Sequence, residues 1–132
     1  SRPYLMKKIA AVIPIVLFLL SFVVAESLQP EEVVMVLINA AHNNNLQGVL
    51  DTSDLVKIAQ HKRHAHTPEM LVEFLKKIDP KKIKFEKIKR KGWWKTALVR
   101  IISPICMDFD LELVKATKEK QEDYYRVVAV HP

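Results

Sequence analysis

The chain has a single cysteine, Cys106, and only two glycines, Gly48 and Gly92. One thiol excludes an intrachain disulfide, so the core stands on packing alone. Two isolated glycines exclude a glycine-rich phosphate cradle and a dinucleotide fingerprint, which need closely spaced glycines. There is no nucleophile elbow or triad pattern, no internal repeat and no low-complexity linker.

Long apolar runs are also scarce, with one exception. Met6-Lys7-Lys8 is followed by Ile9–Val24, broken only by Pro14 and Ser21, and then by Ala25. A positive segment, an apolar stretch and small residues before Glu26-Ser27 form the pattern of a secretory signal peptide cut after Ala25. An uncleaved anchor is the rival reading. A spanning helix wants about 20 apolar residues, whereas Ile9–Ala25 supplies 17 with a proline inside. In both cases the two lysines place the remainder outside the cytoplasm, either exported to the periplasm or medium or held to the inner membrane. Residues 1–5 read as a remnant upstream of Met6 and carry no fold information. No cysteine follows the apolar run, which argues against a lipoprotein anchor.

Without residues 1–25, the chain is 107 residues long, enough for one domain with a modest core. The formal charge of +6 is half leader, because Arg2, Lys7 and Lys8 leave with it and no acid does. The basic isoelectric point is therefore poor support for nucleic-acid binding, and none is expected.

From Pro30 the pattern is helical. Proline suits a first turn and Glu31-Glu32 complement its positive end. Val33, Val34, Leu37, Ile38, Ala40 and Ala41 then share one face. Met35 and Val36 widen that face, which predicts a covered helix. Asn43-Asn44-Asn45 ends it. A short helix is expected from Leu46 to Asp51 or Thr52, and another near Leu55–Ala59 after cap residues between Asp51 and Asp54. Thr67 as N-cap and Pro68 start a further helix whose core stripe is Met70, Leu71, Phe74, Leu75 and Ile78, ended by Asp79-Pro80.

From Lys82 the period becomes two. Ile83–Phe85 starts a strand, Arg90-Lys91-Gly92 reads as a hairpin turn, and Trp93–Ser103 reads as a long second strand. In Met107–Leu113 the residues Met107, Phe109, Leu111 and Leu113 face a core, while Asp108, Asp110 and Glu112 face away. Lys115–Asp123 is a loop and Tyr124–Val130 the last strand. Helices followed by an antiparallel meander of three to four strands make the fold α+β.

This order resembles the nuclear transport factor 2-like superfamily. Asn43-Asn44-Asn45-Leu46-Gln47-Gly48-Val49-Leu50-Asp51 resembles that family's turn into its second helix, and Tyr125-Arg126-Val127-Val128 its closing strand. Thr67-Pro68-Glu69-Met70-Leu71 is similar to a segment of one uncharacterised exported bacterial group. The resemblance spans about Leu28–Val130. It implies a curved sheet folded over helices into a cone, with a pocket between them lined by Leu37, Phe74, Trp94, Phe109 and Leu111. It implies no particular chemistry, since the superfamily mixes isomerases, dehydratases, lipid carriers and interaction domains. Asp51 and His42 would lie near the mouth of the cone; Asp51 reads more simply as a cap and His42 as a helix end.

Four groups of residues invite a functional reading. His61, His64 and His66 are spaced for a metal, but Lys62 and Arg63 repel a cation and no further ligand is near, so a solvated basic loop is the plainer reading and no metal is expected. Asp108, Asp110 and Glu112 would serve as acid or base groups only in a dry, concave site; a charged face paired with Lys84, Lys87, Lys89 or Arg100 is the plainer reading. Lys84, Lys87, Lys89, Arg90, Lys91 and Trp93 suit an anionic membrane surface, or else a lysine-guarded edge strand with one tryptophan in the core. Cys106 reads as a small hydrophobe packed on a strand.

The expected function is an exported, non-enzymatic module holding a small apolar ligand or lipid, without a cofactor. Two alternatives stay open: an envelope interaction or dimerisation domain with a filled core, and an isomerase- or dehydratase-like enzyme using a carboxylate and a histidine.

Overall fold

The computed structural model describes residues 28–61, 67–87 and 94–131. The leader, the Arg90–Gly92 turn, Trp93, His64 and His66 lie outside them, as does the side chain of His61.

Helix α1 (Pro30–His42) begins on Pro30, with the Glu32 carboxylate accepting from the Gln29 N–H at 3.2 Å. Its buried stripe is Val33, Val34, Leu37, Ile38, Ala40 and Ala41, the face that the spacing predicts. Val36 is 40% exposed, so the helix is covered on less of its girth than the apolar count suggests. It ends where Asn44 takes φ = 53°, a left-handed turn that asparagine tolerates.

Asn45 then caps α2 (Leu46–Thr52) by accepting from Gly48 N at 3.0 Å. Asp51 does not cap anything; it lies inside α2 and accepts from the Gln47 side chain at 2.8 Å. The cap of α3 (Leu55–His61) is Asp54, whose carboxylate accepts from Lys57 N at 3.2 Å.

Helix α4 (Pro68–Leu75) starts as expected, with the Thr67 hydroxyl accepting from Met70 N at 3.2 Å. It is shorter than predicted, and its buried residues are Leu71, Val72 and Leu75. Met70 is exposed and Phe74 half-buried. The difference arises because α4 packs on α1 and α2 rather than on the sheet, which turns its stripe by one residue. Ile78 is buried beyond the helix end, and Asp79-Pro80 opens a 3-10 turn, Pro80–Lys82.

Four strands follow: β1 (Lys84–Phe85), β2 (Thr96–Ser103), β3 (Met107–Val114) and β4 (Tyr124–His131). They form an open antiparallel sheet in the order β1-β2-β3-β4. Strand β2 starts at Thr96, later than the apolar run implied. Val99, Ile101, Met107, Phe109, Leu111, Tyr125 and Val127 point from one face into the core against the helices, so the architecture is α+β. The alternation in β3 matches expectation through Leu111, and Leu113 is half-buried. In β4 the register jumps from Asp110↔Ala129 to Leu111↔Val127, so Val128 is the extra residue of a bulge.

The outer edge of β4 is met at one point by the segment between α2 and α3. Asp54 N donates to Val127 O at 2.8 Å, and the Arg126 guanidinium donates to the carbonyls of Leu50 and Ser53. The Val127 carbonyl is thereby kept from pairing with another chain.

Candidate functional site

Two recesses lined by described residues open on the domain. The larger, about 500 Å³, lies where the start of α1, α2, the β3–β4 loop and the first residues of β4 converge. Val33 and Tyr125 are its buried floor, and Leu28, Val36 and Tyr124 add apolar wall. Asp51, Glu119 and Lys120 stand at the rim. The volume falls in the range of small-molecule sites, about 300–1,000 Å³.

Three polar side chains of the wall are engaged with the protein itself. The Tyr125 hydroxyl donates to Trp94 O at 2.7 Å and accepts from Trp94 N at 2.8 Å. The Thr52 hydroxyl donates to Gly48 O at 2.8 Å, and Asp51 holds the Gln47 amide. Lys120 Nζ sits 4.0 Å from the centre of the Tyr124 ring, a cation–π contact that pins the β3–β4 loop to the strand it precedes. What faces the interior of the cleft is thus largely hydrocarbon and aromatic surface, with charge confined to the rim.

The smaller recess, about 310 Å³, is lined by Asp54, Lys57, Glu112, Val128 and Arg126 among others. Lys57 and Glu112 form an ion pair across it, and that hydrogen bond raises the Lys57 pKa. Arg126 Nε is buried without a hydrogen-bond partner among the described residues. The recess joins α3 to the sheet through charges that already have partners.

None of the predicted pocket residues lines either of these two recesses. Leu37, Phe109 and Leu111 are fully buried in the core, Phe74 packs against that core from α4 with Lys77 Nζ 5.9 Å from its ring centre, and Trp94 is 50% exposed. The tryptophan expected in the core is not Trp94. Cys106 is exposed in the turn before β3 rather than packed on a strand.

The three acids of β3 lie on the outer face, each with a partner. Arg100 grips Asp108 with two hydrogen bonds, 2.7 and 3.0 Å, and also reaches Glu86 at 3.3 Å. Hydrogen bonding to Arg100 lowers the Asp108 pKa, assisted by the Arg100 charge and His131 and opposed by partial burial. Asp110 is 2.9 Å from His131 Nε2. Among the described residues, Arg100 serves as the predicted cationic partner, and Lys57 and His131, which the sequence did not single out, serve Glu112 and Asp110; Lys89 lies outside the described residues. Among the described residues no group of three or more His, Cys, Asp or Glu side chains is placed to hold a metal.

His42 ends α1, and its Nε2 is hydrogen-bonded to Ile78 O. This fixes the C-terminal end of α1 against the segment leading to Pro80–Lys82. The cleft touches α1 at Val33 and Val36, in the helix's first half, about 9–14 Å along the axis from His42 at 1.5 Å per residue. Lys84 and Lys87 are exposed, whereas Lys89, Arg90, Lys91 and Trp93 fall outside the described residues.

Cleft residues were visible in the sequence only as parts of other elements. Val36 was the one signal, an apolar residue beyond the width of a normal buried stripe. That the β3–β4 loop folds back beside Leu28 has no local signature.

No family model, curated protein or solved structure matches the chain. Among the described residues no helix is long and apolar enough to cross a membrane.

Proposed function

We propose that the chain is an exported, non-enzymatic binding module that holds a small, largely apolar ligand in the cleft beside the start of α1. The observation that carries this reading is the cleft itself: about 500 Å³, floored by Val33 and Tyr125 and charged only at its rim. A pocket of hydrocarbon walls with few polar groups is the usual form of a small-molecule site. Export rests on the Met6–Ala25 leader pattern.

The proposal keeps the likeness to the nuclear transport factor 2-like cone, with one change. Leu37, Phe109 and Leu111 fill the space between sheet and α1, so the ligand moves to the end of the helix. The same filling favours a second reading, an envelope interaction or dimerisation domain. The isomerase- or dehydratase-like reading finds less support: a general acid or base needs a raised carboxyl pKa in a dry site, and Arg100 lowers that of Asp108.

Native mass spectrometry of the protein exported by a bacterial host and purified without detergent tests the choice. A reproducible added mass, absent in Val36→Asp, supports the carrier. A bare dimer that survives dilution supports the interaction domain and overturns the carrier, as does a bare monomer that takes up no apolar probe.

A further inference from the structure

The register of β1 places two otherwise unrelated features at one end of the sheet. Lys84 lies opposite Ser103 and Phe85 opposite Ile101. The chain running back from Lys84 and the chain running on from Ser103 therefore leave the sheet at the same edge. The first is the Pro80–Lys82 turn and the second is the β2–β3 turn, Pro104-Ile105-Cys106.

The two differ in character and complement each other. Lys81, Lys82, Lys84 and Lys87 are all exposed, and none meets a carboxylate among the described residues. The nearby acids are engaged elsewhere: Asp79 accepts from Lys81 N, and Glu86 binds Arg100. Ile83 and Phe85 pack against the core, which fixes Lys84 between them to a rigid frame. Beside them the end of β2 presents Ile102, 49% exposed, and the turn presents Ile105, 42% exposed, with Pro104 also open to solvent.

We propose that this end of the domain docks on an anionic lipid surface, with Ile102 and Ile105 entering the headgroup boundary and Lys81, Lys82 and Lys84 meeting phosphates. Cations beside protruding aliphatic side chains give the two attractions that bilayers reward together, Coulombic at the headgroups and hydrophobic just below. A soluble polyanion would use the lysines and leave the isoleucines without a role. The docking end is opposite the cleft along α1, so a ligand seated there stays open to solvent when the domain lies on a membrane.

Cys106 is the only thiol of the chain and lies in the docking turn, which makes it a natural reporter. The exported protein, spin-labelled at Cys106, is mixed with vesicles of phosphatidylcholine alone or with phosphatidylglycerol. On anionic vesicles the label should gain accessibility to oxygen and lose it to a water-soluble nickel chelate, and high salt should reverse the change. Lys81→Glu/Lys82→Glu/Lys84→Glu should lower partitioning by about ten-fold or more, and Ile105→Asp should abolish the oxygen signal. Both variants change exposed residues, so thermal unfolding should be near that of the parent. A leader left on the chain would hold the protein to both vesicle types and cannot mimic the contrast. A label equally open to nickel on both, or variants that behave as the parent, would overturn the proposal. Neither result bears on ligand binding in the cleft.

Discussion

The Tyr125 hydroxyl makes a two-way hydrogen bond with the backbone of Trp94, donating to its carbonyl at 2.7 Å and accepting from its N–H at 2.8 Å. One buried phenol on β4 thus satisfies both main-chain groups of the residue that leads into β2, although no strand pairing joins them. The same ring is part of the cleft floor, so fold and site share this residue.

Tyr125→Phe keeps the ring and removes both bonds. Leaving the paired groups unsatisfied costs about 1–3 kcal/mol, read from urea unfolding midpoints at unchanged m-value. The apolar floor remains, so ligand affinity should change little.

Gly48 is where α2 meets α1. A methyl group there would stand 3.0 Å from the Ala40 Cβ and 2.9 Å from Asn45 Nδ2, the side chain that caps α2. Replacing glycine by alanine inside a helix normally gains about 0.5–1 kcal/mol. Here the clash with a neighbouring helix should reverse the sign, and Gly48→Ala should lose about 1–2 kcal/mol. A rise in melting temperature would contradict the close approach.

The Arg100–Asp108 pair sets the acid side of the stability profile. Arg100 lowers the folded-state pKa of Asp108 below its unfolded value, about 3.9. The stabilisation is therefore present above about pH 4 and lost as pH falls through the lower folded value. Arg100→Gln should flatten that acid-side decline while leaving the pH 5–8 region level. Lys57 shows the converse: its pKa is raised by Glu112, so its contribution is present at neutral pH and lost on the alkaline side.

Core and cleft should separate under substitution. Leu37→Ala opens a cavity in a fully buried site and should cost about 2–5 kcal/mol. Val36→Asp, one residue away on an exposed face, should change stability by no more than about 0.5 kcal/mol yet remove binding of an apolar probe.

The helices and β3 were legible because their signals are local: Pro30-Glu31-Glu32, the Asn43–Asn45 stop, the Thr67-Pro68 cap and the strict alternation from Met107. What failed depended on partners. The face of α4 was misplaced because packing on α1 and α2 buries Val72, which no spacing rule weighs. The partners of Asp110 and Glu112 were missed because His131 and Lys57 come from the chain end and from α3. Leu37, Phe109 and Leu111 are buried in the core, and hydrophobicity alone does not tell a packed core residue from one that lines a cavity. The cleft arises from a loop of charged residues folding beside Leu28, a long-range event without periodicity.

The central claim is that the cleft beside the start of α1 holds an apolar ligand. The most direct test is a proton–nitrogen NMR titration of the detergent-free exported protein with decanol. The account predicts saturable shifts confined to Leu28, Val33, Val36, Gly48, Thr52 and Tyr124, abolished in Val36→Asp. Shifts centred on the outer sheet face, or none at concentrations where decanol is soluble, would contradict it.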